Sequence, residues 1–230
     1  MSTTMATPRP RVAVPSDERF TVPNATWELY DRLTDSLDER TGIRVAFDGK
    51  DIEIMVLGPI HERIKELIGL FLNLILLELE IDFEGLGSTS WKRPDVNRGL
   101  EADLCYLFNA DKLEAYAEAV GRRSNDVADY PNPDLAIEID ISPPKIDRPG
   151  IYAALKVPEI WRFENETVFI EQLCDDGTYA AVELSRFLHV RRDEVVRWLI
   201  AEDCRDKRAW ARRLRAWIQA ELLPRARIGT

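Results

Sequence analysis

Four carboxylates in this 230-residue chain sit where carboxylates are costly. Glu101 and Asp103 fall in the short apolar stretch Glu101 to Phe108, and Glu138 and Asp140 fall in the run Asp134-Leu-Ala-Ile-Glu-Ile-Asp-Ile141. Isolated charges in apolar segments normally mark a partner or a metal. Acids two residues apart on a strand point to one face, so neighbouring strands would let Asp103 and Glu138 converge. An oxygen-rich pair suits magnesium, which takes a few carboxylates together with water and substrate phosphate. With only His61 and His189 in the chain, an all-histidine transition-metal site is excluded. The plainer alternative is that the acids cap strand ends and are solvated.

The elements that must position these acids follow from periodicity. Ile43 to Leu57 alternates around Asp48-Gly49 and predicts a hairpin. After Gly58-Pro59, apolar residues recur at Ile60, Ile64, Leu67, Ile68 and Phe71, predicting a long helix that is apolar nearly all round in its second half and therefore lies against a sheet. Glu101 to Phe108 and Asp134 to Ile141 are predicted buried strands, with a surface helix over 109–120 and a polar loop over 121–133 between them. A short helix over 151–156 and strands near 157–163, 168–173 and 179–184 follow. Two basic helices, about 191–203 and 206–222, close the chain. This order predicts an α/β (α+β) domain with a mixed central sheet over 17–190, a loose tail over 1–16 and a basic helical extension over 191–230.

Composition narrows the function classes. The three cysteines, Cys105, Cys174 and Cys204, have no paired spacing, so neither a disulfide framework nor a structural zinc site is indicated. The apolar run Leu67 to Leu77 is too short to cross a bilayer, and residues 1–16 lack the apolar centre of a secretory signal; the expectation is a cytoplasmic protein with no membrane partner. The net charge of −10 has the wrong sign for a domain coated in phosphate backbone, yet from Arg186 onward the balance is +6. That basic tail is either a nucleic-acid contact or a solvated face.

Phe47-Asp48-Gly49, His61 with Ile64 and Ile68, Glu101-Ala-Asp103, Asp134-Leu-Ala-Ile-Glu138, Ser142-Pro143, Tyr152-Ala153 and Val157-Pro158-Glu159-Ile-Trp161 occur in an order that resembles the Uma-two family of restriction-endonuclease-like proteins. The resemblance spans about 20–190 and implies a PD-(D/E)XK nuclease fold. It implies Asp103 and Glu138 as metal-binding acids for Mg2+ (or Mn2+), DNA as substrate and a possible homodimer. Three departures stand out. Ala102 replaces the usual proline before the aspartate, and Asp140 occupies the position where the superfamily carries lysine. The family's lysine four residues before the conserved tyrosine is Arg148 here, with Lys145 nearby; either cation could face the acids, and arginine would bind phosphate but shuttle protons poorly. His61 would approach the site from the start of the long helix, or would cap or pack there. Glu159 is expected as a site wall and Trp161 as core, while Glu53 and Glu62 either complete the metal shell or, by default, are solvated.

The leading functional expectation is a metal-dependent endonuclease hydrolysing DNA phosphodiesters. The alternatives are an inactive nuclease-fold interaction module and, last, a hydrolase using Glu101 and Glu138 as acid and base.

Overall fold

The computed structural model of the chain describes residues 17–37, 42–164 and 167–228, so the expected tail over 1–16 lies outside the described residues. The chain enters through β1 (Glu18–Val22) and α1 (Trp27–Leu37), neither of which the sequence reading anticipated. Trp27, Tyr30, Leu33 and Leu37 line one face of α1 at three- and four-residue spacing. They pack on Val45, Phe47 and Ile52 of the next hairpin, with Tyr30 stacked on Phe47 at 5.6 Å between ring centroids.

That hairpin is β2 (Ile43–Phe47) and β3 (Ile52–Val56). Its turn is held by Asp48, whose carboxylate accepts the backbone N–H groups of Lys50 and Asp51, while Gly49 takes φ +90°, a conformation glycine adopts without penalty. The predicted long helix follows as α2 (Pro59–Glu78), then β4 (Glu84–Gly85), β5 (Ser90–Arg93), β6 (Arg98–Glu101) and β7 (Leu104–Leu107). A surface helix α3 (Ala110–Gly121), the buried strand β8 (Leu135–Asp140) and the short helix α4 (Arg148–Ala154) come next. Three strands, β9 (Glu159–Glu164), β10 (Thr167–Leu173) and β11 (Tyr179–Val182), precede α5 (Arg192–Val196), α6 (Lys207–Trp217) and α7 (Leu223–Ile228).

The strands form two sheets, not one. The smaller, antiparallel sheet has the order β1-β3-β2-β6-β5, and the larger has the order β11-β10-β9-β8-β7-β4. Within the larger sheet β8 and β9 run parallel while the other pairs are antiparallel, so the mixed restriction-endonuclease-like sheet expected from sequence is present. The strand expected over Glu101 to Phe108 is in fact two: the chain leaves the small sheet at Glu101 and enters the large one at Leu104. Asp103 makes the break, because its carboxylate accepts the N–H of Ile139 at 2.8 Å, a donor that a continuous strand would engage through a backbone carbonyl.

The main core lies between α2, the large sheet and the last helices. Leu135, Ile137 and Ile139 of β8 meet Ile68, Phe71, Leu72 and Ile75 of α2, while Trp198, Trp210, Leu214, Trp217 and Ile218 close over the remaining side of that helix. The all-round apolar character of α2 is thereby accounted for. A second core, on the other face of the large sheet, gathers Ala136, Ile160, Ile151, Tyr152 and Leu155.

Candidate active site

Alternation along β8 sends Ile137 and Ile139 to the α2 side, and Glu138 and Asp140 to the face covered by α4. Antiparallel pairing sets Leu104 opposite Ile137, which brings Asp103 beside Glu138. Four acids, Glu53 from β3, Asp103, Glu138 and Asp140, share this interior with Arg19, His61 and Arg148, and none of these side chains is more than 3% exposed.

Asp147 caps α4 by accepting from Gly150 N, and so places Arg148 and Tyr152 on the turn that looks at β8. Arg148 Nη2 lies 2.7 Å from Glu138 Oε2 and Nη1 lies 3.2 Å from Glu53 Oε1; Tyr152 donates its hydroxyl to the other Glu138 oxygen. Glu53 also receives Arg19 Nη1 at 2.7 Å and the backbone N–H of Lys145 at 2.6 Å. His61, in the first turn of α2, meets Asp103 Oδ2 with Nε2 at 3.1 Å; a carboxylate only accepts, so Nε2 carries the proton. Asp103 Oδ1 is buried and has no hydrogen-bond partner.

The electrostatics follow from this crowding. Burial pushes the Glu138 carboxyl up to about 8; Arg148 opposes the rise, and the neighbouring Asp103 and Asp140 charges add to it. Burial would also raise Asp103, but the hydrogen bond and charge of His61, together with Arg148, hold it below the usual carboxylate range. For His61, burial alone would lower the pKa, and the Asp103 contact outweighs it so that the net shift is upward. Burial acts against the charged form of Arg148, yet the surrounding acids, Glu138 foremost, raise its pKa further. The pocket thus acts oppositely on its two facing acids: His61 and Arg148 favour the charged form of Asp103, whose Oδ1 has no hydrogen-bond partner, while burial favours the neutral form of Glu138.

Several sequence expectations change here. Glu53 is not a solvated hairpin acid but a buried member of the cluster, held there by Arg19, Arg148 and the backbone N–H of Lys145. Glu159 is not a wall of this site. It lies three residues earlier in strand register and accepts from Trp161 Nε1 (2.8 Å), Ser185 Oγ (2.6 Å), Arg186 N (2.8 Å) and Gln172 Nε2 (3.1 Å), a buried junction that ties β9 to β10 and the segment after β11. Trp161 is core, as expected. The Lys145 side chain is exposed and only its peptide reaches the acids, so the cation facing them from this segment is Arg148. Glu62 stays on the surface beside Lys65. Arg19 was missed altogether; the signal was the alternation of Arg19 and Thr21 with Phe20 and Val22, too short to stand out.

On the other side of Asp103 a groove of about 1030 Å3 opens between the small sheet and the start of α2, lined by Arg44, Lys65, Ser88, Lys92 and Glu101 among others. Ser88 Oγ accepts from Lys65 Nζ (2.8 Å) and Arg44 Nη2 (3.1 Å) and donates to the Asp103 carbonyl at 3.1 Å. Glu101 pairs with Arg44 at 2.8 Å and belongs to this groove, not to the Glu138 cluster.

Two adjacent carboxylates, one with an orphaned buried oxygen, fit a hard divalent cation in kind. Among the described residues, however, no three His, Cys, Asp or Glu side chains are gathered closely enough to hold a metal by themselves, so water or substrate oxygens would have to complete the set. No helix of the described residues is long and apolar enough to cross a membrane. No curated protein matches the chain. Residues 27–200, about three quarters of the sequence, match the family Uma2, described as "Putative restriction endonuclease", and the chain belongs to that family.

Proposed function

We propose that the chain is a metal-dependent endonuclease that hydrolyses DNA phosphodiester bonds, with Asp103 and Glu138 as the metal-binding acids. The observation that carries this reading is the buried, partnerless Asp103 Oδ1 beside Glu138, since an ionised oxygen without a donor is costly unless a cation completes it. When bound, Mg2+ or Mn2+ would supply an acidified water and neutralise charge on the phosphate. His61 fixes the Asp103 carboxylate, engaging Oδ2 and leaving Oδ1 for the ion. Tyr152 holds one Glu138 oxygen in the same way. Arg148 keeps a fixed positive charge beside Glu138, placed to stabilise a phosphorane but unable to carry protons at neutral pH. Arg44 and Lys65, converging on Ser88, offer the incoming strand a phosphate contact in the groove behind Asp103. A homodimer, which would cut both strands, and a cytoplasmic setting belong to this reading.

Incubating the protein with supercoiled plasmid and Mg2+ or Mn2+ tests it. Nicking that disappears in EDTA and in Asp103→Asn is the expected result; no nicking, together with no Mn2+ binding at Asp103, removes it. A second reading, an inactive nuclease-fold interaction module, is favoured by the enclosure of the cluster and by Asp140 standing where the superfamily has lysine.

A further inference from the structure

Arg19 is the least expected member of the carboxylate cluster. It precedes the residues that match the family, which begin at 27, and it rides on β1, an edge strand paired on one side only, with β3. The pairing sets Thr21 opposite Glu53, so Arg19, two residues away on the same face, is a diagonal neighbour of Glu53. Its guanidinium uses all three nitrogens: Nη1 lies 2.7 Å from Glu53 Oε1, Nη2 2.5 Å from Asp140 Oδ1, and Nε 3.0 Å from Ser142 Oγ.

Asp140 explains why the chain needs this residue. A buried acid at the superfamily's lysine position inverts the local charge, and such an acid is destabilising unless a cation pairs with it. Arg148 feels the Asp140 charge but does not contact it, because its two Nη atoms are engaged by Glu138 and Glu53. Arg19 bridges Glu53 and Asp140 and closes the cluster from an edge strand.

We propose that Arg19 is the resident counter-ion of this cluster, and that a divalent cation binds tightly only when β1 withdraws it. This rests on the metal reading given above. Glu53 and Asp140 are the acids that would add negative potential around an ion at Asp103 and Glu138, and while Arg19 is docked that potential is cancelled by an intramolecular cation. β1 is therefore a metal-affinity switch, whose release raises affinity and opens the enclosed acids together.

The test is Mn2+ binding to the full chain, read from the electron paramagnetic resonance signal of free Mn2+, for wild type, Arg19→Ala, Arg19→Lys and Arg19→Ala/Asp103→Asn. Arg19→Ala is expected to bind Mn2+ at least about tenfold more tightly than wild type, which corresponds to about 1.4 kcal/mol. Arg19→Lys should fall between them, because an ammonium cannot bridge both acids with a rigid fork. The double variant should lose the gain. If Arg19→Ala is unfolded without metal, recovery of a cooperative melting transition on adding Mn2+ supports the proposal, and failure to recover overturns it. Equal or weaker Mn2+ binding by Arg19→Ala than by wild type, with binding lost in Arg19→Ala/Asp103→Asn, overturns the role of Arg19 alone. No Mn2+ binding by any of the four proteins overturns the metal reading and this proposal with it.

Discussion

Glu138 and Glu159 are both glutamates on strands of the large sheet, and both are fully enclosed, yet their surroundings differ in kind. Glu159 accepts four hydrogen bonds from neutral donors, an indole, a hydroxyl, a backbone N–H and a carboxamide, and its charge is spread over them. Glu138 faces Asp103 and Asp140, is balanced by a guanidinium, and is pushed by burial to about 8. Burial alone therefore does not separate a structural acid from a functional one. What separates them is whether the carboxylate's lone pairs are satisfied by donors that have no other role, or by charges that a ligand could replace.

The sharpest way to test that difference is to break each of the two buried clusters with one substitution. Arg148→Ala leaves Glu138 and Glu53 short of a buried cation and should cost about 3–5 kcal/mol in chelator, with a large part regained on adding Mn2+. Glu159→Ala strands four donors and should cost a comparable amount, about 3–4 kcal/mol, but Mn2+ should give it no recovery beyond the wild-type gain. Urea denaturation with and without Mn2+ separates the two, and recovery of Glu159→Ala by metal would break the comparison.

A pH series provides the next effect. The folded Glu138 pKa of about 8 lies above the ordinary carboxyl value of 4.5, so the folded state holds this proton more tightly than the unfolded chain. Its contribution to stability is complete below about 4.5 and is lost as pH rises toward 8. In EDTA the free energy of unfolding of the wild type should carry a downward component of up to about 1.4 kcal/mol per pH unit across that window. Glu138→Gln should remove that component; an unchanged slope would show that the carboxyl titrates elsewhere.

Asp103→Asn is the smaller perturbation, since one amide oxygen can still accept from Ile139 N. Without metal its stability should stay within about 1 kcal/mol of wild type, while the metal-dependent rise in melting temperature should vanish. The smallest effect belongs to the basic surface. Arg205 pairs with Asp203 two residues before it and both are exposed, so Arg205→Ala should leave stability essentially unchanged. If the last helices contact DNA, the same substitution should also reduce the salt slope of binding by about 1.

Much of this architecture was legible in the sequence. The Asp48-Gly49 hairpin, the helix starting at Pro59 and the buried run ending at Asp140 each carry a period or a turn signal strong enough to read locally. The pairing of Asp103 with Glu138 followed from strand adjacency. Glu53 was legible only as one of two alternatives and Arg19 not at all, because each depends on contacts between strands far apart in the chain, and because a strand as short as β1 has little periodicity. Glu159 was misread for the opposite reason: a distinctive local motif drew attention to a residue whose work is holding three segments together. The splitting of Glu101 to Phe108 could not be seen either, since side-chain capture of the Ile139 N–H leaves no trace in hydropathy.

The region that matches the family stops at residue 200, whereas the apolar surface of α2 is finished by Trp210, Leu214, Trp217 and Ile218. The span that matches the family and the packed core are thus different lengths of chain. A truncation made at the edge of the match would retain every acid of the site and still leave one flank of α2 bare to water, with insolubility as the foreseeable result.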